Sequence, residues 1–250
     1  MIKRILIVGT SHSVSLCADY DSGLLPANTR WIDYFVTELG YEVINLSMGG
    51  CTAQQQFLAL YHYLEDHPTE KFDFVIIEGR SIDVRISVPN QAVDTEHWEN
   101  KEYYEHWLDP SHKWKELYPI VRGTTKFFES FKPNLINWYV EYVYSTQHLI
   151  DNVSCNLAMC TLAKQFAPHV FFFSLSDEFH ISEKNYNMYN NIAKNILQDY
   201  LLDDTHYFKF APMGDFKKEL YFCACGHYNV EGSMILYNKI TDILRQKQVI

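Results

Sequence analysis

Three short apolar runs set the terms on which this chain can fold. Ile5-Leu-Ile-Val8, Phe74-Val-Ile-Ile77 and Val170-Phe-Phe-Phe173 contain no polar residue. A strand with one wet face alternates apolar and polar positions. A run that does not alternate suits a strand covered on both faces, as in a parallel sheet. Helical patterns stand between the runs. From Thr29, Ile32, Phe35, Val36 and Leu39 keep helical spacing until Gly40. Val43 to Leu46 reads as a second strand. Thr52-Ala-Gln-Gln55 reads as a capping box opening a helix with Phe57, Leu60, Tyr61 and Leu64 on one face. Glu183 to Leu202 reads as helix and His206 to Phe210 as a short fifth strand. A last helix is expected from near Asn229, burying Met234, Tyr237, Ile240 and Leu244. Strands alternating with helices predict an α/β fold, a central parallel sheet with helices on both faces. Ligands of such sheets sit beyond the carboxyl ends of the strands.

One segment breaks the rhythm. Residues 85–147 are too many for a bare loop in a compact domain. Between Trp98 and Tyr144 lie 13 aromatics, including four of the five Trp. The segment reads as a mostly helical insertion after strand three. Its aromatics stack on sugar rings or, as the near-helical spacing of Trp98, Trp107 and Trp114 favours, form its own core or a contact with a second subunit. The remaining sequence has no linker, repeat or low-complexity tract, so residues 1–250 read as one domain carrying that insertion.

Charge narrows the partners. A formal net charge of −10 disfavours nucleic acid and anionic membrane surfaces. No segment is long and apolar enough to span a bilayer, and the run after Arg4 is shorter than a signal-peptide core. Six sparse cysteines suit a reducing compartment better than a disulfide scaffold. The expected location is the cytoplasm.

Four segments fall where the sheet rule directs attention. Gly9-Thr-Ser-His-Ser13 follows strand one; a Ser at such a turn exposes its hydroxyl near backbone N–H groups, or merely caps a helix. Asn45-Leu-Ser-Met-Gly-Gly50 follows strand two, where glycines permit close backbone approach to a ligand or simply a tight turn. Glu78-Gly-Arg-Ser-Ile-Asp83 follows strand three as polar ligand contacts or as a solvated loop. His227, just before the last helix, stands where a base would stand, or donates to local backbone.

Together these segments resemble the four blocks of the SGNH (GDSL-like) hydrolase superfamily, in order and across the chain outside the insertion. The resemblance implies a flavodoxin-like three-layer α/β/α sandwich. It matches Ser11 to the nucleophile, Gly50 to the oxyanion glycine and His227 to the base, with Ser81 as the closest match to a third oxyanion donor. Thr10 stands where the first block usually has Asp, and Ser81 where the third usually has Asn. Ala224 and Cys225 occupy the positions that usually hold the acid. Asp177, after strand four, and Asp215 are the candidate substitutes.

A rival grouping is metal-binding. Cys223, Cys225 and His227 share a face in extended chain, and His206 would complete four zinc ligands. The C-x-C spacing is atypical for structural zinc, so buried thiols are the preferred reading. The resemblance therefore implies a serine esterase acting on a small ester or an O-acyl carbohydrate, with no metal or organic cofactor. A pocket-bearing module that no longer turns over, and an acyltransferase, are the alternatives.

Overall fold

The computed structural model describes residues 2–10, 12–13, 28–48, 51–79, 86–89, 117–120, 146–174, 191–203 and 227–250. The expected α/β architecture is present. Strands β1 (Arg4–Val8), β2 (Glu42–Asn45), β3 (Phe74–Gly79) and β6 (His169–Ser174) form one parallel sheet in the order β2-β1-β3-β6. Residues 200–202 extend it: Phe172 N–H donates to the Tyr200 carbonyl at 2.7 Å, and Leu202 N–H to the Phe172 carbonyl at 2.9 Å. The order is that of a flavodoxin-like sheet, whose switch point lies between β1 and β3.

Both faces of the sheet are covered, which is why its strands read as unbroken apolar runs. Leu6, Val8, Val75, Ile77, Val170 and Phe172 face one side. There they meet helices α2 (Ala53–Asp66) and α3 (Thr146–Ala163) through Leu60, Leu64, Val153 and Met159. Ile5, Ile7, Phe74, Ile76, Phe171 and Phe173 face the other side. There they meet α1 (Asp33–Thr37) and α4 (Val230–Gln246) through Phe35, Leu236, Tyr237, Ile240 and Leu244.

The local signals are met by specific bonds. Thr52 accepts from the Gln55 N–H, and the Gln55 side chain accepts from the Thr52 N–H at 2.9 Å, closing the capping box. Asn229 caps α4 by accepting from the Gly232 N–H at 2.9 Å. Gly40 ends the α1 region with φ +68°, a conformation open to Gly at little cost. Regular helix there is shorter than the periodicity suggests, only Asp33–Thr37 with turns on either side.

Two expectations need correction. Part of the insertion is strand rather than helix: β4 (Ile86–Pro89) and β5 (Leu117–Ile120) pair as an antiparallel ribbon. Pro89 and Pro119 are poor residues for a helix interior, whereas a two-stranded ribbon, all edge, tolerates them. Trp98, Trp107 and Trp114 lie outside the described residues. The helix expected through Leu202 covers 191–197 among the described residues, and Leu201 instead joins the sheet. The strand expected at His206–Phe210 lies outside the described residues. Among the described residues no helix is long and apolar enough to cross a membrane.

At the amino edge of the sheet, Arg4 bridges Glu42 at 3.1 Å and Glu70 at 3.4 Å. The Tyr63 hydroxyl donates to Glu70 at 2.6 Å. That bond, helped by Arg4 and opposed by burial, holds the Glu70 carboxyl below the usual carboxylate range. A depressed carboxylate stabilises the fold above its unfolded pKa, and the contribution fades as pH falls through the folded value. Tyr63→Phe should therefore cost up to about 1 kcal/mol at neutral pH. The difference from wild type should shrink below about pH 4, as read by urea unfolding across pH.

Candidate active site

The first turn after β1 is built on a buried carboxyl. Ser13 N–H donates to the Thr10 carbonyl at 3.0 Å, closing a turn whose intervening residues are Ser11 and His12. Glu78, the penultimate residue of β3, lies beneath it and is 0% exposed. The Thr10 hydroxyl donates to one oxygen of Glu78 and the Ser13 hydroxyl to the other. The Thr10 N–H adds a longer bond at 3.3 Å. A buried carboxyl without donors would cost several kcal/mol; here three groups of one turn supply them. The Glu78 backbone is fixed as well, its carbonyl accepting from Gln56 Nε2 of α2 at 3.0 Å.

The segment after β2 is tied to the same turn. Asn45 Nδ2 donates to the Ser13 carbonyl at 3.0 Å, while Asn45 Oδ1 accepts from Ser47 N–H at 3.0 Å. Met48 N–H donates to the Gly9 carbonyl at 3.1 Å. Gly9 lies so close to its neighbours that a Cβ there would fall 2.6 Å from Ser47 Oγ and 2.7 Å from Ser13 Oγ.

The segment before α4 reaches the turn from the other side. The His12 ring lies 5.2 Å from the His227 ring, tilted by 53°, and 5.3 Å from the Tyr228 ring. Tyr228 is buried in the core under α4 and anchors its end of the pair. The neighbours of Ser11 in sequence and the expected base thus meet at the carboxyl end of β1, beside the β1/β3 switch point.

Of the expected site residues, only His227 is among those described; Ser11, Gly50, Ser81, Asp177 and Asp215 lie outside them. So do Cys223, Cys225 and His206 of the rival zinc grouping. Among the described residues no cluster of His, Cys, Asp or Glu is arranged to hold a metal ion. Burial pushes the Cys155 thiol up to about 12 and that of Cys160 up as well, which makes both packing residues and not nucleophiles.

Two features escaped the sequence reading. Glu78 reads there as the start of a polar loop, whereas β3 continues through Gly79 and buries it. The signal was a charged residue directly continuing an apolar run, next to a glycine. Helix α3 was not singled out, and it carries a buried polar face: His148, Asn152 and Asn156, four residues apart in turn. Asn156 Oδ1 stands 3.1 Å from where a Gly79 Cβ would be, and two Phe172 ring carbons stand nearer, at 2.1 and 2.4 Å.

Solved structures of the same shape exist. A catalytic mutant of Axe2, an acetylxylan esterase from Geobacillus stearothermophilus, superposes with a TM-score of 0.51 at 15% identity, covering 97% of this chain and 94% of that one. The psychrotrophic esterase EstA from Pseudoalteromonas sp., in a structure inhibited by monoethylphosphonate, gives 0.50 at 15% identity, covering 98% of each chain. The chain shares the fold of these two esterases. No protein-family model matches the sequence, and no curated protein does. At this identity the likeness is one of fold, and the resemblance of the sequence blocks is met at that level.

Gly9→Ala tests the packing of the turn. The added methyl must displace Ser13 Oγ, and the Glu78 carboxyl then loses a donor. A loss of about 1–3 kcal/mol is expected, measured by urea unfolding. An unchanged midpoint would mean that the turn yields without cost.

Proposed function

We propose that this chain is a serine ester hydrolase of the SGNH type, with Ser11 as nucleophile and His227 as base. The observation that carries the reading is the meeting of the two segments: His12, adjacent to Ser11, packs its ring 5.2 Å from His227. The fold shared with Axe2 and EstA supports it.

In this mechanism His227 takes the proton of the Ser11 hydroxyl as Ser11 Oγ attacks the ester carbonyl. The N–H groups of Ser11 and Gly50, with the Ser81 hydroxyl, hold the resulting oxyanion. His227 then gives its proton to the leaving alcohol. Water enters by the same route in reverse, and the acyl group leaves as a carboxylic acid. No metal or organic cofactor takes part. The substrate class is a small ester or an O-acyl carbohydrate, acetate being the favoured acyl group. Axe2, described as an acetylxylan esterase, supports the carbohydrate side of that choice.

The acid that orients His227 is the open position. Ala224 and Cys225 offer no carboxylate, and a neutral thiol cannot stabilise an imidazolium. Asp177 or Asp215 takes that role in our reading, each from outside the His227 segment in sequence.

Hydrolysis of p-nitrophenyl acetate tests the assignment. Ser11→Ala should lower kcat at least about 10³-fold, and turnover retained in that variant would end it. A phosphonate ester should modify wild type once per chain and leave Ser11→Ala unmodified.

The acid has its own test. If Asp177 or Asp215 serves, the corresponding Asp→Asn change should lower kcat by several orders of magnitude, as loss of a triad acid does. Cys225→Asp should then help little. A rise in kcat for Cys225→Asp, with the activity profile moved upward in pH by the new charge beside His227, would show that no carboxylate served before.

A further inference from the structure

Glu78 has no part in the chemistry just described, yet it sits directly under that chemistry. Its carboxyl is fully buried at the β1/β3 switch point, with Thr10 and Ser13 buried above it. The two hydroxyls that donate to it come from the residues that open and close the Ser11 turn. The turn's own bond, from Ser13 N–H to the Thr10 carbonyl, joins the same two residues. Asn45 fixes Ser13 from a third direction at 3.0 Å. The backbone of Glu78 is itself locked, between β6 in the sheet register and Gln56 of α2.

We propose that Glu78 is a positioning residue for the nucleophile: by accepting from Thr10 and Ser13, its buried carboxyl holds the turn whose sequence carries Ser11. The inference rests on the serine-hydrolase reading and deepens it. It also accounts for Thr10. A hydroxyl at position 10 donates to Glu78, whereas an Asp there would set a second carboxylate against a buried one. In this chain a carboxyl stands beneath the turn on the neighbouring strand, and residue 10 is a donor to match. Positioning of this kind acts on the chemical step more than on binding, because a nucleophile displaced by about 1 Å can lose about 10² in rate.

The experiment compares wild type, Glu78→Gln, Thr10→Val and the pair, each confirmed folded by circular dichroism at the assay temperature. Hydrolysis of p-nitrophenyl acetate is measured together with hydrogen exchange over residues 9–13. Each single change should lower kcat by about 10- to 100-fold with KM within about twofold. The pair should lose little more than either single change, since both break one unit. Exchange over 9–13 should quicken while that of α4 stays as in wild type. Thr10→Asp should be worse than Thr10→Val, and Thr10→Asp with Glu78→Gln should recover part of the loss, because a Gln amide can donate to the new carboxylate. Folded Glu78→Gln with wild-type kcat, or fully additive losses, would overturn the proposal. If Glu78→Gln does not fold, Ser13→Ala removes one donor alone and carries the same expectations. If wild type hydrolyses no ester, or Ser11→Ala still does, the hydrolase reading fails by itself. The exchange data then decide whether Glu78 orders the turn: quicker exchange over 9–13 upholds that, and unchanged exchange overturns it.

Discussion

A carboxyl group buried between two strands is the constraint on which this end of the molecule depends. Glu78 cannot lie in the core unpartnered, because desolvation of a carboxylate costs more than any single contact returns. Its donors come from the Thr10–Ser13 turn, so the turn must close over it. The constraint also runs the other way. Thr10 and Ser13 are buried hydroxyls, and without Glu78 they would lose their acceptor. Strand end and turn therefore hold each other at the place where a parallel sheet of this order puts its ligands.

The rest of the fold brings other segments to that turn and closes the opposite edge. Two layers of helices make the sheet dry on both faces, with one core under α2 and α3 and another under α1 and α4. Trp31 packs edge-on against Phe173 at 5.9 Å, filling the second face beside the carboxyl end of the sheet. Tyr228 anchors the start of α4 in the same core, and this fixes the chain at His227. At the amino edge, Arg4 ties the first strand to Glu42 and Glu70. Such half-exposed ion pairs stabilise little. What they do is tie the amino ends of β1 and β2 to the segment before β3.

Much of this architecture was legible because it follows from periodicity and from bonds that specific residue types make. The unbroken runs at Ile5, Phe74 and Val170 became three adjacent parallel strands. Thr52 with Gln55, and Asn229, became caps because their side chains can take only a few bonds and the helix ends need those bonds. The ribbon formed by Ile86–Pro89 and Leu117–Ile120 was not legible. Its pairing spans a long stretch of chain, and four-residue segments carry too little pattern to announce a partner. Helix α3 was hidden for another reason: its buried face mixes His148, Asn152 and Asn156 with Leu149 and Val153, so apolar periodicity alone understates it. Glu78 was misread because charge at a strand end ordinarily marks solvent. Only the donors above it, far away in sequence, make burial affordable.

The candidate site shows the same division between local and distant information. That a Ser turn and a His would come together could be inferred from their places at strand and helix ends, since a parallel sheet gathers those ends on one edge. How they are held could not. In a triad the imidazole takes its orientation from an acid close by in the chain, and this sequence has Ala224 and Cys225 there. The ring contact described at His227 comes from the opposite segment, where the His12 ring lies 5.2 Å away, and Tyr228, next to His227 in sequence, lies 5.3 Å from the same His12 ring. His12 is in turn carried by the turn that Glu78 and Asn45 fix. Glu78 and Asn45, from β3 and β2, thus bear on the His227 ring through the turn and the His12 ring. A ring contact restrains a plane but does not stabilise a positive charge as a carboxylate does. In the proposed hydrolase reading, electrostatic support for the imidazolium has to come from a group other than the His12 ring, and Asp177 or Asp215 is the candidate.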